Sequence, residues 1–283
     1  MRALVLGGTG LLGQDLCAAL VAGGHEARPC SRSDADITRD GAVAAAIEGS
    51  SATHVFNCAA YTQVDKAEVE RDQAFAINGA GAGRAAREAA EAGLPFFQIS
   101  TDYVFDGTKE GGYSEGDSVA PLSAYGQSKE QGEQAVRAAH PGACIVRTQW
   151  LYGRSGPNFV ETMLRLGAER DSLSIVDDQI GSPTWTRDLA VALVTLAEAG
   201  GQGTYHLTNS ETVTWFGFAQ EIFALSGVEV GLSPVPSTAF PRPAPRPLRG
   251  VLRNQLWQAE GRTALRPWRA ALASYLAERK EES

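Results

Sequence analysis

The chain has 283 residues, with 25 Lys and Arg against 33 Asp and Glu, and a formal net charge of −8. Hydrophobic residues make up 43% and charged residues 20%, which is typical of a folded domain and excludes a largely disordered chain. The acidic balance argues against nucleic acid or an anionic membrane surface as a partner, and no uncharged apolar run approaches the ~20 residues that span a bilayer.

Short apolar runs alternate with longer, alanine-rich segments through the first half of the chain. Runs of four to six apolar residues between turns are typical of buried parallel strands, and the segments between them have the length of crossover helices. This alternation predicts an α/β fold with a Rossmann-like doubly wound parallel sheet. The predicted strands cover residues 3–6, 26–30, 54–58, 95–100 and 144–148, and the predicted helices cover 11–22, 40–47, 72–92 and 123–139.

The second half is less regular. Residues 173–176 are predicted to form a strand, 187–199 a helix and 266–280 a final amphipathic helix, whereas the six prolines in residues 234–249 exclude a regular helix or a central strand there. We therefore expect a nucleotide-binding Rossmann domain over residues 1–150, rejoined by parts of 178–225. Residues 151–283 are expected to form mainly a smaller α/β substrate-binding part.

The cysteines and the first residues of the chain bear on the cellular compartment of the protein and on metal binding. Cys17, Cys30, Cys58 and Cys144 are scattered without a C-x-x-C pair, which indicates neither a disulfide framework nor a zinc site. The chain starts directly into an apolar run and a glycine turn, without the pattern of a cleavable signal peptide. We predict a cytoplasmic protein with no bound metal.

A glycine-rich turn follows the first predicted strand and opens the first predicted helix. Gly8, Gly10 and Gly13 satisfy G-x-G-x-x-G, and Gly7 gives a second spaced form with Gly10 and Gly13. Glycines permit a tight turn and close backbone approach to a pyrophosphate, which the positive end of the helix dipole then holds. The strand–turn–helix context makes dinucleotide binding the favoured interpretation, although such turns also serve ordinary strand–helix packing.

The end of the second predicted strand bears on the choice between NADPH and NADH. Ser31 and Arg32 follow it directly, with Asp34 and Asp36 after them, and no acid stands at the strand tip itself. An arginine at this place accepts a 2′-phosphate, whereas an acid binds the free ribose hydroxyl. We predict NADPH, with NADH possible as a second cofactor. The alternative is that Arg32 is a solvated surface charge.

Tyr125 and Lys129 stand four residues apart at the start of a predicted helix and so share one helix face. With seven tyrosines and four lysines, chance placement gives about 0.1 such pairs in the chain. A nearby ammonium favours the phenolate and lowers the pKa of a tyrosine, which suits a general acid at a carbonyl oxygen. The alternative is a partly buried Tyr beside a surface Lys.

Residues 100–107 follow the fourth predicted strand and contain Ser100, Thr101 and Asp102. In doubly wound sheets ligands bind beyond the carboxyl ends of the strands, where a hydroxyl such as that of Thr101 can donate to a carbonyl substrate. The blander interpretation is that these hydroxyls only cap the loop.

Together these motifs resemble the extended short-chain dehydrogenase/reductase superfamily, and longer strings resemble its dTDP-4-dehydrorhamnose reductase family. The similarity runs from the first predicted strand to the last helix. The superfamily motifs are the glycine turn, Asn57-Cys-Ala-Ala60, the string at 100–105 and Tyr125-x-x-x-Lys129; the family strings lie at 62–68, 147–152, 158–159, 178–184, 204–207 and 243–247.

The resemblance implies NADPH-dependent reduction of the C4 ketone of dTDP-4-dehydro-6-deoxy-L-mannose to dTDP-L-rhamnose. It implies that Tyr125 protonates the C4 oxygen, that Lys129 tunes Tyr125 and binds the nicotinamide ribose, and that Thr101 hydrogen-bonds the carbonyl. Trp150 has the alternative of a core aromatic beside a strand end. The implied cofactor contacts are Gly7, Gly10, Leu11, Leu12, Gly13, Ser31, Arg32, Asp36, Ile37, Ala59, Ala60, Tyr61, Thr62 and Lys129, and the implied substrate contacts are Thr62, Val64, Thr101, Asp102, Val104, Tyr125, Trp150 and Arg246.

Two further features bear on partners. Some family members form dimers bridged by magnesium on glutamates, but here the two positions hold Asp15 and Arg187. Because a cation repels a metal, we expect a monomer or a weak homodimer without a metal bridge. In and just after the proline-rich segment, arginines, Arg246 above all, can clamp the diphosphate of a dTDP-sugar substrate, or they belong to a solvated loop; the four are Arg242, Arg246, Arg249 and Arg253.

Two other functions stay open from the sequence. One is a 4-ketoreductase acting on a different NDP-deoxysugar, since Gln63, Gln149 and Ile180 lie near the inferred sugar site. The other is a cofactor-binding regulatory subunit of the methionine adenosyltransferase type. The presence of Tyr125, Lys129 and Thr101 favours catalysis.

Overall fold

Strands and helices alternate along residues 1–281, which are the residues that the computed structural model describes. The strands are β1 (Arg2–Leu6), β2 (Glu26–Cys30), β3 (His54–Asn57), β4 (Phe96–Thr101), β5 (Cys144–Thr148), β6 (Leu151–Tyr152), β7 (Ser172–Val176), β8 (Ile180–Gly181), β9 (Thr184–Trp185), β10 (Gly203–His206), β11 (Val213–Thr214) and β12 (Gly231–Val235). The α-helices are α1 (Leu11–Ala22), α2 (Ala42–Glu48), α3 (Arg71–Ala74), α4 (Ala82–Glu91), α5 (Ala124–Ala139), α6 (Phe159–Glu169), α7 (Thr186–Glu198), α8 (Trp215–Ser226), α9 (Gln255–Ala259) and α10 (Trp268–Glu281).

Six strands form one sheet in the order β2-β1-β3-β4-β5-β10, and every pair of neighbours is parallel. The order reverses between β1 and β3, which is the topological switch point at which such sheets bind ligands. All six strands end at the same edge, where Thr101 of β4 lies beside Thr148 of β5. The predicted fold class, a doubly wound parallel α/β sheet, is confirmed.

Helices cover both faces of the sheet and bury its apolar strands. On one face Leu16 and Leu20 of α1 pack with Leu189 and Leu193 of α7. On the other face α2, α4 and α5 contribute alanines and valines to a second cluster. Burying each of these aliphatic side chains stabilises the fold by about 1.5–3 kcal/mol, so the edge of the sheet is a rigid platform for the residues beyond it.

The predicted elements of the first half agree with the structure to within two residues at their ends, except that the helix predicted over 72–92 is interrupted. A π-helical segment, Phe75–Gly81, separates α3 from α4. The sixth strand, β10, had no strand signal of its own in the sequence, yet it pairs with β5 in the main sheet. The domain boundary predicted near residue 150 stays a prediction. Helix α7 and strand β10 lie beyond that boundary in the chain but belong to the layers of the main sheet.

The remaining elements form small strand pairs around an aromatic core. β7 pairs with β12, β8 with β11 and β6 with β9. Pro234 lies in β12, which pairs on one side only, as expected for a proline in an edge strand. None of the helices within residues 1–281 has the length and apolarity that crossing a membrane requires. The core of this part contains Tyr152, Trp185, Phe218, Trp268 and Tyr275.

Candidate active site

The glycine turn between β1 and α1 lies too close to its neighbours for any side chain. Gly7 has φ +70°, and a Cβ there would lie 2.7 Å from the backbone nitrogen of Ala59. A Cβ on Gly13 would lie 2.3 Å from the carbonyl oxygen of Gly7, so the helix packs directly onto the turn. These close approaches require glycine at both positions.

The N-terminus of α1 opens towards a cavity of about 440 Å³. Gly10 precedes the helix and offers no side-chain cap, so the amide groups of the first turn stay available for an anion. The turn and the cavity therefore fit the pyrophosphate of a dinucleotide. The cavity brings together most of the residues predicted to bind the cofactor, namely Gly7, Gly10, Arg32, Asp36, Ile37, Ala59, Ala60, Tyr61 and Thr62.

Five predicted cofactor residues, Lys129 among them, lie outside the residues that line this cavity. The side chain of Leu12 is 6% exposed and packs into the core, so it could meet a ligand only through its backbone amide. Leu11 and Gly13 belong to the same helical turn. Ser31 donates its hydroxyl to Asp34 at 2.6 Å, and its backbone amide donates to the same carboxylate.

The residues after β2 form a polar end to the cavity. Arg32 is 70% exposed in its side chain and donates from Nε to Asp36 at 3.2 Å. The other oxygen of Asp36 accepts from the backbone and hydroxyl of Thr38, and these hydrogen bonds lower the pKa of the Asp36 carboxyl. Arg32 therefore keeps most of its guanidinium free to meet an anionic group of a cofactor.

Helix α5 carries the Tyr–Lys pair. Ser123 caps the helix by accepting from the backbone amide of Gly126 at 3.1 Å. A Cβ on Gly126 would lie 2.2 Å from the carbonyl oxygen of Tyr103, so glycine lets the start of α5 pack onto the turn that follows β4. This packing brings Tyr125 near Thr101, whose hydroxyl acts to lower the pKa of the phenol.

Lys129 and Tyr125 are both buried on the inner face of α5, at 4% and 9% exposure. The ammonium group of Lys129 donates to the carbonyl oxygen of Ile99 at 2.7 Å. Burial lowers the pKa of Lys129 to about 8, although nearby Glu133 acts to raise it. The lysine therefore still carries its charge for the most part at neutral pH and loses it as the pH rises through about 8.

The expected lowering of the pKa of Tyr125 is wrong for this structure. Burial raises the pKa of the phenol, and contact with Thr101 offsets only part of that increase. Removing a phenol from water disfavours its charged form, and here this effect exceeds that of any nearby cation. Tyr125 therefore holds its proton firmly in the unliganded protein.

A second and larger cavity, of about 590 Å³, lies between the end of the sheet and the aromatic part of the chain. Trp150 lines it and stacks on Trp215 with ring centroids 3.5 Å apart and planes inclined by 10°. Trp150 has φ +48°, a left-handed backbone that a bulky residue rarely adopts. The side chain of Trp150 thus forms a wall of the cavity. The alternative interpretation, that Trp150 is only a core aromatic, is wrong.

Arg246 also lines the larger cavity. Its guanidinium donates to both carboxylate oxygens of Asp65, at 3.0 and 2.9 Å, and this pairing lowers the pKa of the Asp65 carboxyl. Its side chain is 22% exposed, so the solvated-loop interpretation of Arg246 is wrong. Arg242 lies 3.7 Å from Asp65 and adds a second cation on this wall.

Three predicted substrate residues differ in how the structure places them. The side chain of Val104 is fully buried with Phe105 and Tyr113, so the expected contact of this side chain with a sugar nucleotide is not supported. Val64 packs against the cluster that contains Tyr125. Asp102 is 3% exposed and accepts from the Thr101 hydroxyl at 3.0 Å.

Several residues of the larger cavity were missed by sequence reasoning. Tyr103 lay within a string that had been recognised, but nothing in the sequence tied its side chain to a cavity. Phe159 and Trp215 had no signal beyond their aromatic character, which equally fits a core. The residues missed are Tyr103, Phe159, Gln179 and Trp215.

The two positions considered for a bridging metal are both engaged within the chain. Asp15 accepts a hydrogen bond from the hydroxyl of Thr186, and burial raises the pKa of its carboxyl. Arg187 pairs with Glu278. Absence of a metal bridge stays a prediction.

The family model described as the RmlD substrate binding domain matches residues 1–281. The chain belongs to this family. A Streptomyces griseus relative named dTDP-4-dehydrorhamnose reductase is 43% identical to this RmlD-family chain over 278 residues, 96% of this chain and 91% of the relative. A Streptomyces antibioticus relative, named a probable dTDP-4,6-dihydroxy-2-methyloxan-3-one 4-ketoreductase, is 41% identical over 96% of this chain and 93% of its own length.

A solved structure from Bacillus anthracis extends the comparison to three dimensions. It is a dTDP-4-dehydrorhamnose reductase in complex with NADP, and it is 39% identical to this RmlD-family chain. The two align with a TM-score of 0.95 over 98% of this chain and 99% of the other. The resemblance stated from the sequence motifs is therefore confirmed.

Proposed function

We propose that the chain is an NADPH-dependent reductase that converts the C4 ketone of dTDP-4-dehydro-6-deoxy-L-mannose into the hydroxyl of dTDP-L-rhamnose. The observation that carries this function is that Tyr125 and Lys129 each lie near a residue that lines one of the two cavities. The ring of Tyr125 packs 5.4 Å from that of Tyr103, which lines the larger cavity. Lys129 lies close enough to Cys58, which lines the smaller cavity, for the thiol to affect its pKa.

The smaller cavity supports a dinucleotide cofactor, which when bound supplies the hydride. The first turn of α1 binds the pyrophosphate through its free amides, and Arg32 with Ser31 binds a 2′-phosphate. The Bacillus anthracis relative, in complex with NADP, supports NADPH as the cofactor of this chain. Lys129 binds the nicotinamide ribose with its ammonium group.

At the reacting carbonyl, Tyr125 is the proton donor. Its raised pKa keeps the phenol protonated until negative charge develops on the substrate oxygen, which is then the stronger base. Thr101, in contact with the Tyr125 hydroxyl, stabilises the phenolate that results by hydrogen bonding. Burial of both side chains excludes water from the proton transfer.

The larger cavity supports a nucleotide-sugar substrate. Stacked Trp150 and Trp215 offer an apolar wall for a base, and Arg246 with Arg242 offers positive charge for a diphosphate. The name of the Streptomyces griseus relative supports a dTDP-sugar. As proposals, we assign the substrate contacts to Trp150, Arg246, Asp102, Thr62 and Val64.

A second candidate is reduction of a different dTDP-4-keto sugar. The Streptomyces antibioticus relative, a probable 4-ketoreductase for another dTDP-deoxysugar, matches this chain as closely as the dTDP-4-dehydrorhamnose reductases do. The Tyr–Lys–Thr arrangement serves either substrate, since both reactions reduce a ketone at C4. Which of the two sugars is the substrate depends on the residues of the larger cavity that contact the sugar ring.

One experiment tests these proposals together. Purified protein is mixed with NADPH and a panel of dTDP-4-keto-6-deoxy sugars, cofactor oxidation is followed by absorbance, and the product is identified by NMR. We expect the fastest turnover with dTDP-4-dehydrorhamnose and a lower KM for NADPH than for NADH. Faster turnover of another sugar of the panel supports the second candidate. No oxidation with any of them refutes reduction and favours a regulatory, cofactor-binding role.

Three expectations about the whole molecule remain proposals. We propose that residues 1–150, together with parts of 178–225, hold the cofactor and that 151–283 mainly hold the substrate. We further propose a cytoplasmic protein that is a monomer or a weak homodimer. The four cysteines, all free in the structure, support a reducing compartment.

A further inference from the structure

A buried carboxylate, Glu133, ties helix α5 to the ends of two neighbouring strands. Ser100 of β4 and Arg147 of β5 are direct partners in the register of the sheet. The hydroxyl of Ser100 donates to Oε1 of Glu133 at 2.7 Å, and Arg147 donates to the same carboxylate from Nε at 2.8 Å and from Nη2 at 2.7 Å. All three residues are at most 4% exposed. These hydrogen bonds fix the end of β4 against α5.

The ammonium group of Lys129 contacts the same short stretch of β4. Lys129 lies one helical turn before Glu133 and on the same face of α5. It donates to the carbonyl oxygen of Ile99 at 2.7 Å, and Ile99 directly precedes Ser100. The side-chain amide of Gln98 donates to this carbonyl oxygen as well, at 2.8 Å. Two contacts one residue apart on β4 thus meet two side chains one turn apart on α5.

The position of the Ile99 carbonyl determines where the lysine ammonium lies. A lysine side chain has a flexible stem and samples many rotamers unless its ammonium group has a fixed acceptor. The ammonium group has three donors, and Ile99 accepts from one of them, so two remain. In the proposed function these are the groups that bind the nicotinamide ribose. A shift of the end of β4 relative to α5 therefore displaces the groups that bind this ribose.

We propose that Ser100 is a positioning residue: by donating to Glu133 it fixes the end of β4 against α5, so that the carbonyl of Ile99 holds the Lys129 ammonium in place for the nicotinamide ribose. The inference rests on the proposed function, in which Lys129 binds that ribose. It adds the residues that hold the lysine. Ser100 acts only through Lys129, because its side chain is buried against α5 and its hydroxyl is used by Glu133.

The Ser100 hydroxyl can be removed without leaving a buried charge unpaired. In Ser100→Ala, Oε1 of Glu133 still accepts from Nε of Arg147, and Oε2 still accepts from Nη2. The ion pair between Glu133 and Arg147, which carries most of the local stability, therefore stays intact. A general weakening of the fold affects the whole cofactor cavity, whereas a displaced Lys129 affects only the part that binds the nicotinamide ribose.

Binding of two ligands to Ser100→Ala separates these effects. The ligands are NADPH and adenosine 2′,5′-bisphosphate, which has the adenosine and the 2′-phosphate of NADPH but lacks the nicotinamide ribose. By isothermal titration calorimetry, Ser100→Ala should raise the Kd for NADPH about tenfold and leave the Kd for the bisphosphate within about twofold of the unaltered value. Ser100→Thr, which keeps the hydroxyl, should bind both ligands as the unaltered protein does. In turnover, Ser100→Ala should lower kcat and leave KM for the dTDP-sugar unchanged.

The matched control is Arg137→Ala. Arg137 donates to Oε2 of Glu133 at 2.8 Å from the exposed side of α5, and its side chain is 47% exposed. The variant removes a hydrogen bond to the same carboxylate but leaves the Ser100 contact, so both affinities should stay unchanged. If Ser100→Ala does not fold, Ser100→Cys takes its place with the same expectation, because a thiol is only a weak donor.

Four results would overturn the inference. They are an unchanged Kd for NADPH in Ser100→Ala, equal weakening of both ligands in that variant, an equal loss in Arg137→Ala, and a Ser100→Thr that binds NADPH no better than Ser100→Ala. Failure of the unaltered protein to bind NADPH refutes the proposed function and the inference with it. The expected binding pattern without turnover of any dTDP-4-keto sugar refutes the reductase function alone and supports the positioning of Lys129.

Discussion

Replacing Arg246 by Ala should weaken substrate binding selectively. Arg246 lines the larger cavity, and its guanidinium is held by two hydrogen bonds to Asp65. Because these hydrogen bonds already restrict the Arg246 side chain, it loses little conformational entropy when a diphosphate binds. The Arg246→Ala variant should raise KM for the dTDP-sugar and leave the affinity for NADPH unchanged, because the cofactor cavity is lined by other residues.

The size of the effect follows from the charges involved. Hydrogen bonds from a guanidinium to a charged partner contribute about 1.5–3 kcal/mol, which corresponds to an increase in KM of about 10- to 150-fold. Loss of the Asp65 pair should cost less than about 1 kcal/mol of folding free energy, because the Asp65 side chain is 29% exposed and can be solvated. The change in binding therefore exceeds the change in stability.

Steady-state kinetics with a varied dTDP-sugar, and fluorescence titration with NADPH, give the two affinities. Arg249→Ala is the matched control: it removes an arginine of the same segment that is 48% exposed, pairs with Glu110 and lies outside the residues lining the cavity. A KM for Arg246→Ala within about twofold of that of Arg249→Ala would refute the diphosphate clamp.

Three further predictions concern the cofactor and stability. Arg32→Ala should raise KM for NADPH about tenfold and spare NADH, as steady-state kinetics with each cofactor will show. Arg147→Met should cost about 3–5 kcal/mol in urea unfolding, because it leaves buried Glu133 without its main partner, whereas Arg165→Met, in an exposed pair, should cost under about 1 kcal/mol. Burial lowers the pKa of His206 to about 3, so the unfolded chain takes up a proton below about pH 6.5 that the folded chain does not. Between pH 6.5 and 5 the unaltered protein should lose about 1.6 kcal/mol more stability than the His206→Asn variant. Equal losses in the two proteins would contradict this.

The main sheet was predictable because local and global signals agree there. The strand at Glu26–Cys30 and the helix at Leu11–Ala22 have the bounds that apolar runs and glycine stops indicate. β10 was not predicted, since Gly203–His206 is short and polar and becomes a strand only by pairing with β5. The π-helical segment has no local signature either, and the pattern alone favoured one continuous helix.

The cofactor side of the site was predictable to a greater extent than the substrate side. Spacing alone indicated the glycine turn and the Tyr125–Lys129 face, because both lie within single local elements. The substrate side is formed by residues that are distant in the chain, as in the stack of Trp150 on Trp215 and the ion pair of Asp65 with Arg246. Contacts between distant residues leave no spacing pattern in the sequence. The pKa of Tyr125 was misjudged for the same reason, since burial depends on the whole fold.

The most direct test of ketone reduction at this site is the rate at which the Tyr125→Phe variant oxidises NADPH in the presence of substrate. This variant removes one hydroxyl and keeps the ring that packs against Tyr103, so the fold and the affinity for NADPH should not change. Cofactor oxidation in the presence of dTDP-4-dehydrorhamnose should fall at least about 100-fold, because the variant lacks the proposed proton donor. Oxidation at more than about one tenth of the original rate would show that the proton comes from elsewhere.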